Sequence, residues 1–290
     1  MPRSALKKRI VNINLIIQGD EVATPDLKQL AKLSGASRIE AIDQQAFRLV
    51  GANPQTEDVV ADYCETARLD FGFVPEGRRL DQFGLAVMDM DSTLITIECI
   101  DEIADMQGLK PQVSAITSAA MRGDIAFSES LRRRVALLKG LPEGALERVY
   151  RERLQLSPGA ETLLSGFRAA GLKTLLVSGG FTFFTDRLKT RLGLDYTASN
   201  VLEIDKGVLT GNILGDIVDG DGKAAWLERV RDALKLAREQ VIAIGDGAND
   251  LKMLAAAGLS IAYRAKPVVR AKASHAINFV GLDGVLNLFC

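Results

Sequence analysis

The sequence predicts an α/β chain. A parallel, Rossmann-like sheet carries an inserted helical bundle, and a smaller α+β domain precedes it. Three observations predict this. Three mostly apolar runs, Leu85–Met88, 173–177 and 241–244, each stop at polar or glycine-rich residues, as buried parallel strands do. Residues 98–156 show helical patterns and no strand pattern. Residues 9–75 alternate in the order β-α-β-β-α-β, the ferredoxin-like split βαβ arrangement.

In chain order, residues 10–17 read as a strand, and Thr24 and Pro25 as the N-cap and first residue of a helix that closes before Gly35. Residues 38–42 and 46–50 read as two strands. Thr56 caps a helix over 57–69, and 71–74 form a last strand. Residues 75–83, PEGRRLDQF, are a polar linker, so the expected domains are 1–78 and 79–290. After the strand at 85–88, helices are expected near 111–121, 128–138 (with Ser128 as N-cap) and 143–154, making an insertion of about 96–156. An insertion at that point sits above the carboxyl end of the first core strand, where it can act as a lid. The α/β pattern resumes with a helix at 158–170 and a strand at 173–177. A helix at 181–192, a hairpin at 201–214, a helix at 224–236 and a strand at 241–244 follow. A short helix and strands at 259–263 and 276–280 finish the chain.

The bulk numbers exclude several function classes. A net charge of -1 without long like-charged runs argues against a nucleic-acid footprint. No apolar stretch is long enough to span a bilayer, and no secretory leader is read at the start. Three cysteines without paired spacing fit a reducing cytoplasm. The single histidine, His275, rules out multi-histidine metal sites and reads as structural. Catalysis is therefore expected from carboxylates, lysine, serine or a metal.

The candidate chemistry lies at the strand ends. Asp89 and Asp91, two apart at the end of a strand, point to one side. Charges held that close need a cation, a shared proton or both, unless the pair is simply a solvated acidic turn. Ser178-Gly179-Gly180 ends the second strand, and the backbone N–H groups of such a turn suit a phosphate. Asp246, Asn249 and Asp250, in GDGAND, end the third. Three or four carboxylates suit Mg²⁺, and Lys223 adds a positive charge for phosphate oxygens. Each piece alone has a plain structural reading; all of them on one sheet edge point to a carboxylate nucleophile acting on a phosphate.

DMDST, Ser178, Lys223 and GDGAND match, in order, the four motifs of the haloacid dehalogenase superfamily of phosphohydrolases, which the chain resembles over about residues 84–285. MDMDSTLITIECIDEIA, FSESLRRRVALLKGLP, SGGFTFF and IGDGANDLKML resemble its phosphoserine phosphatases in particular. The resemblance implies Mg²⁺-dependent release of serine and phosphate from phosphoserine, the last step of serine synthesis by phosphorylated intermediates. It implies Asp89 as nucleophile and metal ligand. Asp91 is implied as acid, then base, and as a metal ligand through its backbone carbonyl. Asp246 would be the third ligand. Ser178, Gly179, Gly180 and Lys223 would hold the phosphoryl oxygens, while Asn249 and Asp250 support the metal shell and Lys223. Glu98 would take the substrate ammonium and Arg134 its carboxylate, with Met121 and Phe127 as an apolar wall. Without the resemblance, Glu98 reads as a helix-start acid, Arg132–Arg134 as a solvated run, and Met121 and Phe127 as bundle core. The N-terminal domain resembles ACT domains, which implies an amino-acid ligand such as serine; a docking or homodimerisation module is the equal alternative. Two rival functions are a phosphatase or phosphotransferase for another small phosphate such as phosphohomoserine, and a non-catalytic amino-acid sensor.

Overall fold

A computed structural model describes residues 12–289, apart from the Met121 side chain. They group into two compact units, one holding the chain up to Leu80 together with the segment from Ile277, the other Asp81–Ala276. In the first unit, β1 (Ile13–Gln18), β2 (Arg38–Ala41), β3 (Ala46–Val50) and β4 (Asp70–Pro75) form a sheet in the order β2-β3-β1-β4. All its pairings are antiparallel. Helices α1 (Thr24–Ser34) and α2 (Glu57–Ala67) put Leu27, Leu30, Val60 and Cys64 into one core with Leu15 and Ile17 of β1. The alternation of the strands supplies one apolar face, and the helices cover it. The strand start expected at residue 10 lies outside the described residues.

The expected caps differ. Ala23 occupies the cap of α1, and Thr24 is already helical. Thr56 does not cap α2, because its hydroxyl donates to the Asn53 carbonyl at 2.7 Å. Gly35 does close α1, at φ 68°, a left-handed state that glycine adopts without strain. The C-terminal boundary is also corrected: residues from Ile277 belong to the first unit, not to the second. Asp70, 2% exposed, accepts the backbone N–H groups of Asn278, Phe279 and Val280 at 2.7, 2.9 and 3.0 Å. Those donors are unavailable to a sheet ladder, so the last strand stops at Ile277 rather than 280.

The second unit is built on β5 (Leu85–Met88), β6 (Lys173–Phe181), β7 (Tyr196–Asp205), β8 (Val208–Leu214), β9 (Val241–Gly245) and β10 (Leu259–Tyr263). With β11 (His275–Ile277) the order is β11-β10-β9-β5-β6-β7-β8. β10, β9, β5, β6 and β7 pair in parallel, and β8 runs antiparallel to β7. β5 lies in the middle, and all four of its residues are buried, which is why its sequence is apolar throughout rather than alternating. The expected hairpin is longer than predicted: β7 begins at Tyr196 and pairs with β6 before turning into β8.

Four helices, α3 (Cys99–Asp105), α4 (Lys110–Met121), α5 (Phe127–Ala136) and α6 (Gly144–Glu152), form the insertion after β5. α5 begins at Phe127 with Ala126 as its cap, so Ser128 falls inside the first turn instead of capping it. Helices α7 (Ala160–Ala169), α8 (Thr182–Leu192), α9 (Gly220–Ala233), α10 (Leu251–Ala256) and α11 (Pro267–Arg270) accompany the sheet. α9 starts ahead of Lys223 because Asp219 accepts the N–H groups of Asp221 and Gly222, both at 3.0 Å. No described helix is long and apolar enough to cross a membrane.

Candidate active site

The carboxyl ends of β5, β6 and β9 meet at the centre of the sheet. Asp89 continues β5, and its N–H donates to the Ile244 carbonyl of β9 at 3.0 Å. Its Oδ1 accepts the Met90 N–H at 2.7 Å and faces the Lys223 ammonium at 2.6 Å. Beyond Asp89 the chain leaves the strand. Ser92 takes a φ of 57°, and this kink returns the chain so that the Cys99 N–H reaches Asp91 Oδ1 at 2.8 Å. Asp91 Oδ2 accepts the Ser178 hydroxyl at 3.2 Å. Both oxygens of Asp91 are therefore held, and burial raises its pKa above the usual carboxylate value against these hydrogen bonds.

Lys223 reaches this edge from the first turn of α9 and is 1% exposed. It bridges Asp89 and Asp250, the latter at 2.7 Å. Burial opposes its charge, but Asp250 and Asp89 outweigh burial and hold the ammonium protonated. Asp89 is raised well above the usual range, first by burial and then by Asp250, with Lys223 opposing. Asp246 is pushed up to about 6 by burial and by Asp250, against the Thr93 hydroxyl that donates to its Oδ1 at 3.1 Å. Thr93 of the first motif thus fastens the carboxylate of the last.

Carboxylate oxygens of Asp89, Asp246 and Asp250 lie within 4.8 Å of one another. Three buried or half-buried acids, with one lysine among them, leave negative charge that a hard divalent cation would neutralise. The donor set fits such an ion. Asp250 supports rather than ligates: its Oδ1 takes Lys223, and its Oδ2 takes the N–H groups of Asp246 and Gly247 at 3.1 and 2.9 Å. Asp89 and Asp246 each keep Oδ2 without a hydrogen-bond partner among the described residues.

The second strand end is a bulge. Val177 pairs with Ala198 and Phe181 with Asn200, so Ser178-Gly179-Gly180 stand against the single residue between. Asn200, 1% exposed, takes over the missing ladder bonds: its amide donates to the Gly179 carbonyl and accepts the Val218 N–H, both at 2.8 Å. Ser178 is fully buried, with its hydroxyl turned to Asp91, and it accepts the Gly180 N–H at 2.8 Å. The glycines are required by close approach. A Cβ on Gly179 would meet Phe127 at 2.8 Å, and one on Gly180 would meet Asp91 Oδ2 at 2.8 Å.

A cavity of about 620 Å³ opens over these groups. From the sheet edge, Asp89, Asp91, Gly179, Gly180, Lys223, Asp246 and Asn249 line it; Ser178 and Asp250 lie beneath. From the insertion come Glu98, Phe127 and Arg134, while Arg132 and Arg133 are exposed. Met121 ends α4, and its side chain lies outside the described residues. Glu98 is exposed but faces this cavity, and its Oε1 accepts the Ser92 hydroxyl at 2.8 Å. Desolvation by the cavity walls and the charge of Asp91 push its pKa up to about 8. Burial lowers Arg134, which Asp101 and Glu98 counter. His275 is on β11, outside the lining. The sequence reading missed Asn200, Asp101, Thr117 and Ser130. A signal existed for two: Asp101 lies one turn after Glu98, and Ser130 one turn before Arg134, so each pair shares a helix face. Nothing in its neighbourhood marks Asn200.

The haloacid dehalogenase-like hydrolase model matches residues 86–255, and a domain of unknown function, DUF4072, matches 15–59. A protein from Polaromonas sp. named phosphoserine phosphatase is 56% identical over 215 residues, covering 72% of this chain and 91% of its own. A crystal structure of a probable phosphoserine phosphatase from Vibrio cholerae, unliganded, aligns with TM-score 0.83 and 38% identity over 95% of this chain and 85% of that one. A phospho-aspartyl intermediate analogue of phosphoserine phosphatase aligns with TM-score 0.67 and 38% identity over 72% of this chain and 99% of that one. With its motifs assembled at one sheet edge, the chain belongs to the haloacid dehalogenase-like hydrolase family.

Proposed function

We propose that the protein is a Mg²⁺-dependent phosphatase that hydrolyses O-phosphoserine to serine and phosphate. One observation carries the substrate reading: a single cavity joins the Asp89–Lys223 edge to an acid, Glu98, and a guanidinium, Arg134. Phosphoserine has a phosphate, an ammonium and a carboxylate, which these three features match in charge.

Asp89 and Asp246 would hold Mg²⁺ with the Asp91 backbone carbonyl, and the ion would supply positive charge against the phosphoryl oxygens. Lys223 and the Gly179 and Gly180 turn carry the rest of that charge stabilisation. An Asp89 carboxylate oxygen attacks phosphorus, and the bond to the serine oxygen breaks as Asp91 gives that oxygen its proton. Burial raises the Asp91 pKa, which favours the proton on Asp91 for this step. After serine leaves, Asp91 takes a proton from water as the water oxygen attacks phosphorus. The Asp89–phosphorus bond breaks, and both carboxyl groups return to their starting states. Phosphate release from phosphoserine, phosphohomoserine, phosphothreonine and an aryl phosphate, with Mg²⁺ and with chelator, tests the reading. Metal-dependent preference for phosphoserine is expected; equal rates on all four esters would remove phosphoserine as the substrate.

A further inference from the structure

Beneath the cap side of the cavity, four buried polar atoms have no hydrogen-bond partner among the described residues: Arg134 Nε, Asp101 Oδ1, Thr117 Oγ1 and Ser130 Oγ. All four residues line the cavity, and they come from three different helices, α3, α4 and α5. Buried polar atoms are seldom left unpaired, because each costs its full desolvation. Helical serine and threonine hydroxyls usually turn back onto the preceding carbonyl, and these two do not. Ser130 is 1% exposed and lies one turn before Arg134 on the same face of α5.

The unpaired set holds three groups able to donate, a guanidinium N–H and two hydroxyls, against one acceptor. Asp101 already faces the Arg134 charge, which opposes the rise that burial gives its pKa. The surplus calls for an acceptor-only group with more than one oxygen; with the phosphate placed at the Asp89–Lys223 edge, the substrate group left to fill that part is the carboxylate. We propose that Thr117 and Ser130 are specificity-determining residues whose hydroxyls complete, with Arg134, the seat for the substrate carboxylate. The inference rests on the phosphoserine reading and adds to it two residues that neither charge nor motif picks out.

The test uses the full chain with Mg²⁺ and two esters, O-phosphoserine and O-phosphoethanolamine, which share the phosphate and ammonium and differ in the carboxylate. The parent protein is expected to prefer phosphoserine by about 100-fold or more in kcat/KM. Thr117→Val and Ser130→Ala are each expected to cut that preference by about tenfold, through KM for phosphoserine, as loss of a donor to a charged group does. Thr117→Ser keeps the hydroxyl and is expected to keep the preference. If Ser130→Ala unsettles α5, Ser130→Cys, similar in size and a weak donor, is expected to give the same narrowing. Equal losses on both esters, or an unchanged preference, would overturn the inference and leave the phosphoserine reading standing. A parent protein with no preference between the esters would remove that reading itself.

Discussion

The sheet edge and the helical cap line the same cavity with opposite hydrogen-bond accounting. At the sheet edge, Lys223, Asp250 and Asp91 each meet protein partners at two atoms or through two bonds, and Thr93 ties Asp246 in place. On the cap, Arg134 Nε, Asp101 Oδ1, Thr117 Oγ1 and Ser130 Oγ have no hydrogen-bond partner among the described residues. In the proposed reaction, the groups that would stabilise developing charge are fixed before substrate arrives, as electrostatic preorganisation requires. The groups proposed to select the substrate are left open for it. The difference teaches which substitutions strike chemistry and which strike choice.

Asp89→Asn is expected to have the largest effect, a loss of at least ~10³-fold in turnover, since the amide is no nucleophile. Full turnover by the folded variant would break the assignment. Lys223→Met comes next. It leaves Asp89 and Asp250 facing each other without the ammonium that bridges them, and stopped assays with paired melts are expected to show a loss of about 10²-fold or more with destabilisation of ~3–5 kcal/mol. A variant as stable as the parent would mean that the sheet edge is not electrostatically bound to Lys223.

The pH dependence separates the two regions. Glu98 titrates near 8 in the free protein, so below that pH its carboxyl is neutral and offers the substrate ammonium no charge. The expected kcat/KM for phosphoserine therefore falls as pH drops through about 8, up to tenfold per unit. Phosphoglycolate, which lacks the ammonium, is expected to show no such limb, and Glu98→Gln is expected to abolish it for phosphoserine. The same limb in both substrates would move its origin from Glu98 to the sheet edge. Asn200→Asp is expected to give the smallest effect, about tenfold in kcat/KM. It keeps the acceptor for Val218 but sets a carboxylate oxygen against the Gly179 carbonyl. Weaker inhibition by inorganic phosphate should accompany it; unchanged inhibition would show that the bulge holds its shape without that clamp.

Much of this was legible in the sequence because the chemistry at a strand end is local. Asp89 and Asp91, the glycine turn and GDGAND each follow an apolar run, and a parallel sheet brings such ends together. The alternating pattern of the first 75 residues likewise carried the N-terminal sheet. What escaped depends on partners distant in the chain. Asn200 matters because β6 bulges opposite it, 22 residues after Ser178 by their numbering. Thr117 stands out only once its hydroxyl is seen to lack a partner among the described residues, and Ser130 is marked beforehand by nothing but its spacing from Arg134. The C-terminal segment was assigned to the wrong unit because Asp70, more than 200 positions earlier, captures its backbone. Thr56 and Ser128 look like caps, yet one spends its hydroxyl on Asn53 and the other falls two residues past the cap.

The most direct measurement of the central claim is a rapid acid quench of the full chain turning over phosphoserine labelled in the phosphate. The account predicts label on the protein, released by hydroxylamine as expected of an acyl phosphate, and none on Asp89→Asn. An active enzyme that carries no label at any quench time, or one labelled equally after Asp89→Asn, would contradict it.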